Sequence, residues 1–576
     1  MKPDNSLKNA AQPKCVPKLT GADAELGNLI LGLHSEHGTG REASHALLAE
    51  IDGLPDTMTR SDATTWPDTV TWSNTVAWPN NVAWPNTSAR FNRGPTRDYA
   101  HTAMPGTYSQ PGATTGQTHN PQDIGRKFLG SNGGCIYIDL DHLEVCTPEV
   151  LSAHEFVAAW HAMLRIARDA LAAANAKCPP GQRIMVLVNS SDGRGNAYGS
   201  HLNFMVTRRL WDDLFVRRMH PDLFVLIAYQ VSSIVFSGQG KVGAENGRPG
   251  VPYQISQRAD FFDQLVGPQT TYNRPIVNSR DEPLCGSAQG RSAATGDDIG
   301  PARLHCIFYD STLCHGSTLL KVGVMQIVLS MLEAGKLDAS LMLEDPLSAL
   351  VAYSHDPSLA ARAPLADGRA VTAVELQSMY CERARAHVDA GECDGLVASA
   401  SAIVDLWEDT LDKLAQRDFD SLAPRLDWVL KHAQIERALA SRGLDWSAPE
   451  AKHLDHLYSS LDPDEGVYWA LENAGLTELL VDDTRIDHLC NTPPEDTRAW
   501  TRAMLLRQLP RERIHAVDWD HIDLATTFPD QVAATVHLPD PLGHTRTDWR
   551  RSAETMNHED GARRRSVHST EKETKQ

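Results

Sequence analysis

Along this chain, apolar and polar positions alternate in some stretches and recur every three or four residues in others. Alternation or a short apolar run predicts strands over Pro17–Leu26, Ile136–Leu140, Arg183–Val188, Asn203–Thr207 and Arg303–Tyr309, with an apolar stretch carrying the first on to Leu33. Helical spacing predicts an Ala-rich amphipathic helix over Pro148–Ala174 and an apolar one over Pro221–Phe236. A further helix, opening at a Lys-Val-Gly turn, is predicted over Thr318–Ala334. Beyond residue 370 the spacing is helical through Val374–Ala400 and Ala402–Leu414. Strands therefore concentrate in the first 310 residues and helices in the rest, which predicts an α+β fold whose sheet comes mainly from the first part.

Composition interrupts this pattern between residues 52 and 125, where Thr, Asn, Pro, Gly and Ser dominate. A six-residue repeat begins at Trp66, Trp72, Trp78 and Trp84. Four copies of so short a unit cannot bury a core, so it reads as an expanded loop or a Trp-bearing docking segment. Residues 1–18 are polar and predict a loose leader, and the stretch after His558, with Arg563, Arg564 and Arg565, predicts a tail. The 576 residues suit a large domain, 19–470, a small one, 471–545, and a tail, 546–576.

A formal charge of −20 disfavours nucleic acid as a partner, while leaving room for a local basic groove. None of the ten cysteines falls in a CxxC pair, which argues against a zinc site of ordinary spacing. The start lacks an apolar signal segment, and no run of about 18 apolar residues stands out. The expectation is a cytoplasmic protein with reduced thiols and no membrane partner.

Candidate chemistry begins with carboxylates at alternate strand positions, which share a face: Asp23 with Glu25, and Asp139 with Asp141. His142, Glu144 and a Thr-Pro-Glu helix start at Thr147–Glu149 follow. Clustered oxygen ligands are what Mg2+ needs when it holds nucleotide phosphates, although a solvent-facing strand also explains each pair. The glycine-rich turn Asn189–Asn196 can bring backbone N–H groups to an anion, yet it is neither a Walker A nor a Rossmann fingerprint. Arg258 and Arg280, each close to carboxylates in sequence, could clamp a phosphate or carboxylate or serve structural ion pairs.

Taken in order, these segments resemble the Pup ligase and depupylase family, relatives of glutamine synthetase in fold. The series includes NGGCIYIDLDHLEVCTPE (132–149), NSSDGRGNAYGSHLN (189–203), YQISQRADFF (253–262) and RPIVNSRDEP (274–283). It continues with RLHCIFYDST and STLLKVG (303–323), VDLWEDTLD (404–412), RLDWVLK (425–431) and VDWDHI (517–522). The resemblance covers residues 17–545 apart from the repeat insertion. It implies a mainly antiparallel sheet packed by helices, with a small C-terminal domain.

The resemblance also implies residue roles. Asp139 would be the catalytic carboxylate; Asp23, Tyr137 and Glu144 would hold Mg2+. Thr147 and Trp519 would contact ATP, with Arg258 and Arg280 as clamps. Its partners would be a small disordered Pup-like tag, lysine-bearing substrate proteins and proteasome-linked machinery. The sequence departs from the family where an arginine becomes Cys135, a glutamate becomes Leu202, a histidine becomes Leu284 and the first metal-site glutamate becomes Asp23. The C-terminal motifs read closer to the ligase, which joins the tag's C-terminal glutamate to a lysine. The insertion and the Asp139–His142–Glu144 spacing read closer to the depupylase. A nucleotide-binding scaffold without chemistry is the third reading.

Overall fold

The computed structural model describes residues 14–34, 38–52, 54–55, 123–217, 220–280, 300–525 and 532–551. The Trp66–Trp84 repeat and the stretch holding Leu284 lie outside the described residues.

Strands β1 (Thr20–Leu31), β2 (Leu54–Pro55), β3 (Asp123–Phe128), β4 (Cys135–Asp139), β5 (His142–Cys146), β6 (Arg183–Leu187) and β7 (Ser200–Thr207) join the strand Pro301–Cys306 in one sheet. The order runs from Pro301–Cys306 through β7, β1, β5, β4 and β3 to β2, with β6 paired to β1. Every pairing in it is antiparallel. β1 is the spine because it is long: Thr20–Ala24 pairs with β7, Asp23–Leu26 with β5, and Gly27–Leu31 with β6.

Alternation decides what each face does. Ala22, Ala24, Ile136, Ile138, Leu143, Val145, Leu202 and Phe204 are all buried in the main core. That core also contains Leu47 of helix α1 (Gly40–Ala49), Phe156 and Trp160 of helix α2 (Ala153–Asn175) and most of the helix His315–Glu333. The intervening residues, among them Asp23, Glu25, Tyr137, Asp139, Glu144, His201, Asn203 and His305, fall on the other face, where polar chemistry can collect.

Several expectations shift. The strand predicted over Pro17–Leu26 and the apolar stretch after it are one strand, β1. The helix predicted from Pro148 starts at Ala153, where the Ser152 side chain accepts the Glu155 N–H. Residues 142–146, read as the approach to that helix, instead form β5, the second arm of a hairpin with β4. Asp141 therefore lies in the hairpin turn, outside strand β4, and shares no strand face with Asp139. The helix His315–Glu333 runs unbroken through Lys321-Val322-Gly323. It is long and apolar enough to cross a membrane, which the sequence reading missed, but it is wholly buried as the central core helix.

Residues 14–18 do not behave as a leader: the Lys18 ammonium lies 2.5 Å from Glu333, with both side chains fully buried. The boundary placed at 470/471 falls inside the helix Val467–Asn473, and the following helix Asp483–Asn491 packs on α2, with Arg485 Nε donating to Glu155 at 3.0 Å. A second antiparallel sheet, Ile514–Val517, His521–Ala525 and Val532–His537, contributes Ile514, Val517 and Ile522 to a smaller core shared with Phe128, Cys135 and Cys146. Residues 546–551, assigned to the tail, are helical, and Arg546 pairs with Glu495. The nine cysteines among the described residues are all free thiols.

Candidate active site

On the polar face of the sheet, a cavity of about 330 Å³ is lined by Asp23, Tyr137, Asp139, Glu144, Thr147, Arg280 and Trp519. Seven of the eight site residues named from the sequence thus meet in one place. The eighth, Arg258, is not on the wall. It is fully buried elsewhere, with no hydrogen-bond partner among the described residues for any guanidinium nitrogen, and its side chain stands over Phe262. Burial, helped by the nearby Arg274, pulls its pKa down to about 9.

Strand register explains how the carboxylates gather. Glu25 pairs with Glu144 across β1 and β5, and Glu144 pairs with Tyr137 across β5 and β4. Ligand oxygens of Glu25, Asp139 and Glu144 lie within 4.8 Å of one another. Burial, and then the charges of Asp23, Glu25 and Asp139, push Glu144 well above the ordinary carboxylate range, against a hydrogen bond from Tyr137. Its Oε2 is buried with no hydrogen-bond partner among the described residues. Crowded carboxylates, one of them shifted toward its neutral form and left with an unsatisfied oxygen, are what a divalent cation relieves, so these residues fit Mg2+.

Asp23, grouped with Tyr137 and Glu144 from the sequence, goes to a neighbouring cluster. It faces His201 across β1 and β7, with His201 Nδ1 3.0 Å away and Asn203 Nδ2 donating at 2.5 Å; His305 completes a second group of candidate ligands. Burial raises the Asp23 pKa, but His201, then His305 and Arg303, outweigh burial and hold the side chain ionised. Glu25, which the sequence reading did not name as a ligand, stands beside Glu144 across β1 and β5. Its alternation with Asp23 was the available signal. Burial raises Glu25 also, and His142, His201 and the Gly199 N–H bring it below its ordinary value.

The Thr147 hydroxyl accepts the Ala22 N–H at 2.9 Å, tying the cavity floor to β1. Trp519 reaches the cavity from the C-terminal sheet. Its carbonyl accepts from Arg502 at 2.9 Å, the Arg502 guanidinium stands 4.8 Å from the indole centroid, and Phe128 meets it edge-on at 5.3 Å. Arg502 and Arg498 are themselves held by Glu149 at 2.6 and 2.8 Å. One buried ion-pair cluster therefore fixes the C-terminal wall against the sheet.

Leu202 alters less than the sequence comparison suggested. It points to the core face, lining a small void with Ala22, Phe156 and Lys321, away from the polar cavity. Outside the cavity, His161, His315 and Glu472 also converge. His315 Nδ1 accepts the Leu480 and Val481 N–H groups at 3.2 and 3.4 Å, which leaves the proton on Nε2 of the neutral ring and no lone pair there for a metal.

An antiparallel sheet carrying carboxylates beneath an arginine-bearing cleft, closed by a tryptophan from a small C-terminal sheet, defines a PafA-like fold. The structure matches the Pup ligase PafA solved in complex with the ubiquitin-like protein Pup, with a TM-score of 0.68 at 21% identity over 94% of this chain and 92% of that one. It also matches PafA solved in complex with ADP, with a TM-score of 0.63 at 23% identity over 81% and 100% of the two chains. By sequence, the chain is 37% identical to the depupylase of Acidothermus cellulolyticus over 74% of its length and 80% of that protein. It is 35% identical to the Pup–protein ligase of Acidimicrobium ferrooxidans over 71% and 86%. Residues 57–523 match the Pup-ligase protein family, and the chain belongs to that family.

Proposed function

We propose that this protein joins the C-terminal glutamate of a Pup-like tag to a substrate lysine at the expense of ATP. The observation that carries the reading is the cluster of Glu25, Asp139 and Glu144, of which Asp139 and Glu144 line a cavity that also holds arginines and Trp519. A carboxylate is a poor electrophile, so the tag's glutamate is first phosphorylated by ATP, and the lysine amine then displaces phosphate to form the isopeptide bond. A lysine with a pKa near ~10.4 arrives protonated at neutral pH, and Asp139, a carboxylate lining the cavity, would accept that proton. Glu25 and Glu144, with Asp139 beside them, would hold a Mg2+ ion, whose chemistry is to offset charge on the phosphates. Arg280 and Arg303 on the same wall add positive charge where the phosphoryl group transfers. Support for the nucleotide comes from the solved relative in complex with ADP, and for the tag from the one in complex with Pup.

A second reading, removal of the tag, is favoured by the 37% identity to a depupylase. Mass spectrometry with ATP, Mg2+, a lysine-bearing acceptor and tag peptides ending in Glu or Gln separates them. An ATP-dependent Glu–lysine amide supports the ligase. Ammonia loss from the Gln form, or cleavage of a preformed conjugate, moves the function to the hydrolase. No mass change in either arm removes both and leaves the binding scaffold.

A further inference from the structure

The cleft wall nearest Trp519 is built by β3 and β4, and its charge comes from an unexpected position. In β4, Cys135 is fully buried and packs into the smaller core with Phe128, Ile514 and Ile522. A thiol cannot carry positive charge, so Cys135 brings none to the cleft. In β3, the register slips by one residue: Lys127 pairs with Ile136, yet Ile124 pairs with Ile138, so Gly125 and Arg126 together oppose Tyr137. Gly125 has φ +67°, and a Cβ there would lie 2.8 Å from Leu48 Cδ2. This is a glycine bulge, which adds a residue without turning the flanking pairs to the wrong face. Arg126 lines the cleft, with its guanidinium 4.8 Å from the Tyr137 ring centroid and 4.0 Å from Asp518 Oδ1. Trp519 and Thr147 line the same cavity.

We infer that Arg126, delivered by the Gly125 bulge, is a phosphate-contacting residue for the nucleotide and supplies from β3 the positive charge that Cys135 cannot supply from β4. The inference rests on the reading that this cleft takes a nucleotide. The guanidinium stands over the Tyr137 ring at the edge of the cleft, and a guanidinium, with five N–H donors, is the side-chain group best suited to grip phosphate oxygens.

The test is calorimetric binding of ADP, AMP and adenosine to the full chain and to Arg126→Ala and Arg126→Lys, each checked for its melting temperature. Arg126→Ala is expected to weaken ADP at least tenfold while changing adenosine less than twofold, with Arg126→Lys between the two for ADP. Unchanged ADP affinity, or equal losses for ADP and adenosine, would overturn the assignment. If Arg126→Ala does not fold, Arg126→Lys alone must still weaken ADP more than adenosine. Parent protein that binds none of the three removes the nucleotide reading itself, an outcome distinct from a parent that binds ADP and a variant that binds it equally well.

Discussion

Replacing Glu149 by Gln should loosen the C-terminal wall of the cleft, and the structure sets the size of the effect. Glu149 is buried between Arg498 and Arg502, at 2.8 and 2.6 Å. Burial alone would raise its pKa, but Arg502 and then Arg498 bring it down to about 2, against 4.5 for an ordinary glutamate. At about 1.4 kcal/mol per pH unit, this corresponds to about 3 kcal/mol of stability. Removing one partner of a buried pair costs about 3–5 kcal/mol by a separate route, and the amide oxygen left by Gln favours the lower figure.

Because the folded pKa lies below the unfolded one, this stability is fully present above about pH 4.5 and is lost as the pH falls toward 2. Urea unfolding of parent and Glu149→Gln should therefore differ by about 3 kcal/mol at pH 7, and by roughly half of that or less at pH 3. Since Arg502 also holds Trp519, ADP affinity should fall with stability. Equal unfolding midpoints at pH 7 would refute the argument, as would a difference that stays constant down to pH 3.

Asp139→Asn is expected to slow conjugation about 10²–10⁴-fold while ADP still binds, measured by single-turnover mass spectrometry; full turnover would discard Asp139 as the base. Adding Mg2+ at pH 7 in weak buffer should release protons, because burial and the neighbouring carboxylates favour the protonated form of Glu144 and a cation reverses that preference, and Glu144→Gln should abolish the release. Leu202→Glu should place a carboxylate beside buried Lys321, whose pKa burial lowers to about 8. That variant should unfold in urea within about 1 kcal/mol of the parent, whereas Leu202→Glu in a Lys321→Met background should lose about 3 kcal/mol or more.

Local periodicity made β1, β7 and the long helices legible, because a strand or helix that buries one face must show its period in the sequence. What escaped depends on contacts between distant segments. The β4–β5 hairpin was hidden because its turn holds Leu140 at φ +53°, a conformation that Asn-Gly or Asp-Gly would have announced and leucine does not. The helix α2 start was open to reading, since Ser152 and Glu155 have the spacing of an N-terminal cap, but Pro148 offered an earlier and misleading signal. Arg258 shows the opposite error: an arginine beside an aspartate suggested a clamp, and the fold buried it away from the cleft while Asp260 went to His355 and Lys241.

Asp23 and Glu25 show why the site itself was only half visible. Alternation establishes that the two carboxylates share a face, and nothing local separates their fates. The separation comes from register: β7 sets His201 opposite Asp23, whereas β5 sets Glu144 opposite Glu25. Both carboxylates keep donors that favour the ionised form, Asp23 beside His201 and Glu25 beside His142 and the Gly199 N–H, but Glu25 also meets two further carboxylates and creates the demand for a cation. A pair two residues apart is divided between two roles by strands that arrive from more than a hundred residues away, and the same dependence on register gives Arg126 its place in the cleft.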